Sequence, residues 1–408
     1  MRIDIRLASV LKSLAIGVLS LSAVTAVAQV VSPESQGMSS NRLSRIEALM
    51  NDRIEAGAFG GAVSLVSRNN EIVYLHAQGL MDIESGRPMQ TDAVFRIMSM
   101  TKPVVAVAIL MMVEEGKVRL TDPASRFIPE LGDMRVMAPS TADGWVPATR
   151  DITVRDLLTH SSGLMSGAAN STLSVQFGPD DSLADVLPRL GRSQLEFQPG
   201  ERWSYSAVFG FDVLVRIVEI AAGVDFGTFA QTRIFGPLGM DDTYFYRDDE
   251  HPNVATLYRN DGGDLVATGD MAFVNGEYFS GGGGMFSTAE DYLRFALMLM
   301  NDGRLGGTRL LGRRTAETMR SVFLPDTLPG RSAGEAYGLG VRVITDSGAR
   351  NTLLSEGSFG WSGAFNTHFF VDPQERVAAV YMTQISGLDQ RFGVRDDFET
   401  AVMQTIVD

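Results

Sequence analysis

The 408-residue chain has no cysteine, which excludes disulfides, thiolate zinc sites, iron–sulfur clusters and a cysteine nucleophile together. Histidine is rare. His76, His160, His251 and His368 stand far apart, without a His-x-x-x-His pair, which argues against a zincin-type metal site. Positive charge is in deficit, with 35 Lys and Arg against 49 Asp and Glu, so a net of −14 offers no electrostatic footprint for nucleic acid. Lysine is scarcest of all: Lys12, Lys102 and Lys117 are the whole set, and the other 32 basic residues are arginine. Apolar material is ample, at 45% hydrophobic against 21% charged residues, so disorder is excluded. At ~100–200 residues per domain, the length admits two or three units or one large body with an insertion.

Arg2, Arg6 and Lys12 precede an apolar run over residues 14–27, and Ala26-Val27-Ala28 places small residues before Gln29. A charged start, an apolar run and a small-residue cleavage site are the parts of a secretory signal peptide. The alternative, a membrane anchor, is opposed by Ser20, Ser22 and Thr25 and by a run shorter than the ~20 residues that a span requires. Cleavage after Ala28 is expected, with the product in the periplasm or the medium and no membrane span. Removing residues 1–28 leaves 32 basic and 48 acidic side chains, a net of −16.

Beyond the leader, Leu43, Ile46, Leu49, Met50 and Ile54 recur at helical spacing over 41–56. Residues 62–66 and 71–78, joined through Asn69-Asn70, predict a hairpin. A buried helix is expected over 104–113, stopped by Gly116, with further helices over 152–159, 208–222 and 226–234. Ser287-Thr288-Ala289-Glu290 reads as a capping box before an amphipathic helix over 291–301. Strands are expected at 338–344, 364–371 and 377–384, and a closing helix over 394–407 after Gly393. Strands at both ends with helices between predict one α/β body interrupted by a helical region.

Lys102 follows Ser99 by three residues at the start of the buried helix, so the two side chains share one face. A serine hydroxyl needs a base to become a nucleophile, and a desolvated lysine is one such base. The bland alternative makes Ser99 a helix cap and Lys102 a solvated neighbour, and it leaves unexplained a charge that opens an apolar helix.

Phe95-Arg96-Ile97-Met98-Ser99-Met100-Thr101-Lys102-Pro103 resembles the nucleophile segment of the serine β-lactamase-related family, which holds class C β-lactamases, DD-peptidases and family VIII carboxylesterases. Further segments agree in order: Leu157-Leu158-Thr159-His160-Ser161-Ser162-Gly163-Leu164, Trp203-Ser204-Tyr205-Ser206, Ile234-Phe235-Gly236-Pro237-Leu238-Gly239-Met240, Gly281 to Thr288, and Gly360-Trp361-Ser362-Gly363-Ala364. The resemblance spans roughly residues 40–400 and is nearest to the family VIII carboxylesterases. It implies an α/β fold of the α+β type, β-lactamase/transpeptidase-like. An antiparallel sheet flanked by helices (about 38–100 and 270–408) would carry an inserted, mostly helical domain (about 101–269), all within a hydrolase domain at 29–408.

The resemblance makes Ser99 the acylated nucleophile, Lys102 its base, and Tyr205 the phenol that shares the proton transfers. Ala207 stands where the family's Tyr-x-Asn motif has asparagine, and on the residues alone Tyr205 also reads as an aromatic stapling the next helix. Trp361-Ser362-Gly363 replaces the family's Lys-Thr-Gly, so an indole stands where a lysine would attract a substrate carboxylate. Trp361, Ser362 and Gly363 are the implied substrate-binding residues, with Trp361 either a cleft wall or core. The backbone N–H groups of Ser99 and Ala364 are the implied oxyanion hole.

Two look-alikes are set aside. Gly330-Arg331-Ser332-Ala333-Gly334 spells a G-x-S-x-G elbow without the strand and helix it needs, and Gly281–Gly284 lacks the ending of a P-loop. His160 and His368 are expected to make ordinary core hydrogen bonds. The sequence thus predicts an exported serine hydrolase that cleaves small-molecule carboxylic esters through an acyl-enzyme, without cofactor or metal. The alternatives are a β-lactamase or D-amino-acid peptidase or acyltransferase of the same fold, or a catalytically silent binding member.

Overall fold

Strands drawn from the two ends of the chain form one antiparallel sheet, and its centre is where those ends meet. The computed structural model describes residues 29–164, 178, 180–245, 251–269, 277–325, 327–388 and 392–408. The expected signal peptide lies outside the described residues. The sheet contains β1 (Gly61–Arg68), β2 (Glu71–Asp82), β3 (Arg87–Pro88), β4 (Glu335–Tyr337), β5 (Arg342–Ile344), β6 (Phe359–Gly363), β7 (Thr367–Asp372) and β8 (Val377–Met382), in the order β4-β5-β6-β7-β8-β1-β2-β3. The β1–β2 hairpin closes through Asn69 and Asn70 at φ 55° and 70°, positive values that suit asparagine in a two-residue turn.

Both faces of the sheet are covered, so its central strands are apolar throughout rather than alternating. Every residue of β8 is buried, and its pleat divides them: Ala378, Val380 and Met382 pack into one core, Val377, Ala379 and Tyr381 into the other. The second core is closed by α1 (Ser40–Glu55) and by the last helix, Val394–Met403. The first core holds α2 (Thr101–Glu114), α3 (Phe209–Ala222) and α4 (Ala289–Met300); the last helix is then α5. Helix α2 buries twelve residues from Thr101 to Met112, as expected of a helix apolar on every side. Its chain turns away at Gly116, whose φ of 70° is left-handed.

Several expected boundaries move. The cap of α4 is Thr288, whose side chain accepts from the Asp291 N–H, while Ser287 pairs with Phe95 in a short strand. Residues 338–341 form a turn between β4 and β5, not the start of a strand. The expected strand over 364–371 begins only at Thr367, and β6, which carries Trp361-Ser362-Gly363, precedes it. The region between α2 and α4 is mostly helical but also carries short strands, among them Tyr258–Asp261, which joins Ile385–Ser386 in parallel.

Candidate active site

Ser99 lies in a tight turn, Met98–Met100, between the short strand Phe95–Arg96 and α2. Met98 has φ 49°, a left-handed backbone that a residue with a side chain rarely adopts, and the neighbours hold it there. The Ile97 N–H donates to the Met285 carbonyl (3.0 Å), Thr367 Oγ1 donates to the Ile97 carbonyl (3.1 Å), and the Tyr292 hydroxyl donates to the Met100 carbonyl (2.7 Å). Sheet and α4 thus fix the turn from two sides.

In the first turn of α2, Lys102 is fully buried. Its Nζ donates to the carbonyl oxygens of Ala207 and Gly282, both at 2.7 Å, and lies 3.2 Å from Ser99 Oγ. The Tyr205 hydroxyl, reached from the loop before α3, donates to Ser99 Oγ at 2.6 Å. The three residues named from the sequence therefore meet on one oxygen.

Strand β6 forms the facing wall. A Cβ on Gly363 would fall 2.2 Å from the Ile97 carbonyl oxygen, so only glycine lets this strand approach the Ser99 turn so closely. Ser99, Trp361, Ser362, Gly363 and Ala364 line one cavity of about 410 Å³. Trp203 stacks on Tyr337 at 4.3 Å, Tyr337 meets Trp361 edge-on at 5.8 Å, and together they make an aromatic side. Trp361 is half-buried against the cavity, a cleft wall rather than core. Ser332 is exposed on a loop and does not line the cavity, and Gly281 and Gly282 are packed against the Phe211 carbonyl and Val208, where a Cβ would collide at 2.4 and 2.7 Å.

Other contributors were not foreseen. Glu335, Arg342 and Arg395 also line the cavity, so two guanidinium groups, from β5 and α5, stand beside it. Arg342 bridges Glu335 (3.2 Å) and Glu399 (2.5 Å), and Glu399 also meets His368 Nε2 at 3.1 Å. His368 Nδ1 in turn lies 2.9 Å from Ser362 Oγ. Burial pushes the Glu399 carboxyl up, but the His368 hydrogen bond and the Arg342 charge outweigh it and hold the group well below the usual carboxylate range.

Asp212 on α3 is fully buried and accepts from the Tyr278 hydroxyl (2.6 Å), Ser280 Oγ (2.9 Å) and the Gly282 N–H (3.1 Å), which places the Gly282 carbonyl under Lys102. Burial raises its carboxyl above the ordinary value against those hydrogen bonds. A carboxylate inside the apolar run Phe211 to Val215 was the available signal for it. Among the described residues no group of side chains could hold a metal ion, and no helix is long and apolar enough to cross a membrane.

Residues 46–404 match the family model described as Beta-lactamase. The chain belongs to the beta-lactamase family. This family member is similar to Protein Rv1367c of Mycobacterium tuberculosis (strain ATCC 25618 / H37Rv), with 36% identity over 362 residues, 83% of this chain and 89% of that protein. It is 32% identical over 367 residues to Esterase EstB of Burkholderia gladioli, again across 83% of this chain and 89% of that one. Among solved structures it resembles EstCE1, described as a hydrolase with promiscuous acyltransferase activity, at a TM-score of 0.77 and 27% identity over 89% of this chain and 99% of that one. A beta-lactamase-family chain of this kind is a serine hydrolase or acyltransferase with an antiparallel sheet and flanking helices.

Proposed function

We propose that the protein is an exported carboxylesterase working through an acyl-enzyme on Ser99. The observation that carries this reading is the shared contact of Lys102 Nζ and the Tyr205 hydroxyl with Ser99 Oγ, at 3.2 and 2.6 Å, at the mouth of an aromatic-sided cavity. An amine whose two N–H groups are given to the Ala207 and Gly282 carbonyls keeps its lone pair for the serine proton.

In the proposed reaction, Ser99 Oγ bonds to the ester carbonyl carbon as its proton passes to Lys102 Nζ. The carbonyl oxygen takes up negative charge against the N–H groups of Ser99 and Ala364. Collapse breaks the bond to the alcohol oxygen, which takes the Tyr205 proton, and Lys102 returns a proton to the phenol. Water then repeats the sequence in reverse and releases the acid. Esterase EstB supports ester substrates, and an aromatic wall suits an apolar acyl group. The leader at residues 1–28 supports export to the periplasm or medium.

Arg342 and Arg395 at the cavity favour a second reading, a β-lactam or D-amino-acid peptide substrate whose carboxylate one of them meets. One purified preparation separates the two readings. A fluorophosphonate probe is expected to label Ser99, with labelling lost in Ser99→Ala. The kcat/KM for p-nitrophenyl acetate or butyrate is expected to exceed that for nitrocefin and benzylpenicillin. A tenfold preference for a β-lactam, about 1.4 kcal/mol at the transition state, would replace the esterase reading by the second. Labelling at Ser332 instead would overturn both.

A further inference from the structure

His160 holds both neighbours of Tyr205. Its carbonyl accepts from the Ser204 N–H at 2.9 Å, and its Nδ1 accepts from the Ser206 N–H at 3.2 Å. The residues before and after the phenol are therefore tied to one residue 45 positions upstream in the chain. The ring also packs under the site: its centroid is 4.8 Å from that of Tyr205 and 5.3 Å from that of Phe211, and it stacks on Trp361 at 5.7 Å and 13°. A base side and a cleft wall thus rest on the same imidazole.

Two features set this histidine apart from an ordinary core residue. Its backbone is left-handed at φ 56°, uncommon for a residue other than glycine though tolerated by histidine. Its Nε2 is buried without a hydrogen-bond partner among the described residues. A ring whose Nδ1 accepts carries its proton on Nε2, so the neutral tautomer fits the Ser206 contact. Burial pushes the imidazole well below its ordinary value, which favours the neutral ring that the Ser206 contact requires.

We infer that His160 is a positioning residue for Tyr205, fixing Ser204-Tyr205-Ser206 so that the phenol meets Ser99 Oγ, and that it also backs Trp361. The inference rests on the acyl-enzyme reading and adds a residue that touches neither substrate nor reacting atoms. Its effect belongs in kcat, because a displaced proton donor weakens the transition state more than the ground state.

A double-mutant cycle tests it. His160→Leu fills the site without an acceptor, and His160→Asn presents Oδ1 at the same bond distance as Nδ1 and tolerates positive φ. With p-nitrophenyl butyrate, His160→Leu is expected to lose about 100-fold in kcat with a much smaller change in KM, and His160→Asn less than about tenfold. On a Tyr205→Phe background, His160→Leu is expected to cost less than about threefold more, since its effect travels through the missing hydroxyl. Equal losses for Asn and Leu, or a leucine loss undiminished on Tyr205→Phe, overturn the inference while leaving the acyl-enzyme reading intact. A fully active Tyr205→Phe also overturns the inference, whereas the acyl-enzyme reading falls only if Ser99 is not labelled. Should His160→Leu fail to fold, His160→Asn is compared with His160→Gln, whose acceptor lies one methylene further out; equal kcat in those two overturns the inference.

Discussion

The Tyr205 hydroxyl and Ser99 Oγ are 2.6 Å apart, and the same serine oxygen has Lys102 Nζ 3.2 Å away. One oxygen is thus placed between a donor and an amine. Lys102→Ala and Tyr205→Phe are each expected to lower kcat/KM by about 10²–10⁴-fold in folded protein. Lys102→Arg is expected to stay inactive, since a guanidinium remains protonated. Ester turnover beside circular dichroism decides this, and an active Lys102→Arg would exclude the lysine as base.

Gly363→Ala tests the closeness of β6 to the nucleophile turn. Its Cβ would meet both the Ile97 carbonyl oxygen and Thr367 Oγ1 at 2.2 Å, so the end of β6 leading into Ala364 has to move. A loss of about 10²-fold in kcat is expected, the size seen when one oxyanion donor is removed. Gly307→Ala, where a Cβ meets nothing within 4 Å, is the matched control and should leave kcat unchanged.

Glu399→Gln tests the ion network behind the cleft. It removes one partner of Arg342 (2.5 Å) and of His368 (3.1 Å), and loss of one member of a buried pair costs about 3–5 kcal/mol. Because folding depresses the Glu399 value, the wild-type advantage is full above its ordinary value of 4.5 and shrinks as pH falls below it. The lowered value of His368 acts in the same direction and sets in earlier, since the unfolded chain binds a proton below pH 6.5 that the folded one refuses. Urea melts of both proteins from pH 7.5 to 3.5 should show the wild type weakening below pH 6.5 and the gap to Glu399→Gln closing below pH 4.5. A gap independent of pH would refute the charge assignment.

Arg395→Ala separates the two substrate readings. Its Nε donates to Asp396 at 2.9 Å, and its side chain lines the same cavity as Ser99. Turnover of a β-lactam bearing a carboxylate is expected to fall tenfold or more, about 1.4 kcal/mol, while a neutral ester is affected much less. Equal losses on both would deny the arginine a role in anion recognition.

Local signals served the sequence reading where they existed. The apolar run of α2, the Asn69-Asn70 turn and the Ser99/Lys102 spacing are all written in adjacent residues. Strand β6 is legible from the family motif at Trp361-Ser362-Gly363 and not from periodicity, because Gly360 and Gly363 break the alternation that marks a strand, and its pairing comes from Val343 and Phe369 on either side. The cap of α4 slipped by one residue because Ser287 and Thr288 are equally good caps, and only the pairing of Ser287 with Phe95 decides between them. Arg342, Arg395 and Glu399 reach the cleft through sheet order and the packing of α5, which no local pattern encodes. His160 was read as ordinary core; its single side-chain hydrogen bond is ordinary, but the bond goes to a neighbour of Tyr205.

The hydrogen bond from Thr367 to the Ile97 carbonyl joins residues 270 positions apart. Ser99 and Lys102 are made well before the strand that faces them and before β8, which lies beside β1 at the centre of the sheet. Such distant pairing makes folding slow and leaves the edge of β1 uncovered until β8 has been made. A chain clipped before β6 keeps Ser99 and Lys102 yet has no opposing wall. Activity therefore reports on the integrity of the chain at least as far as β6 and β7.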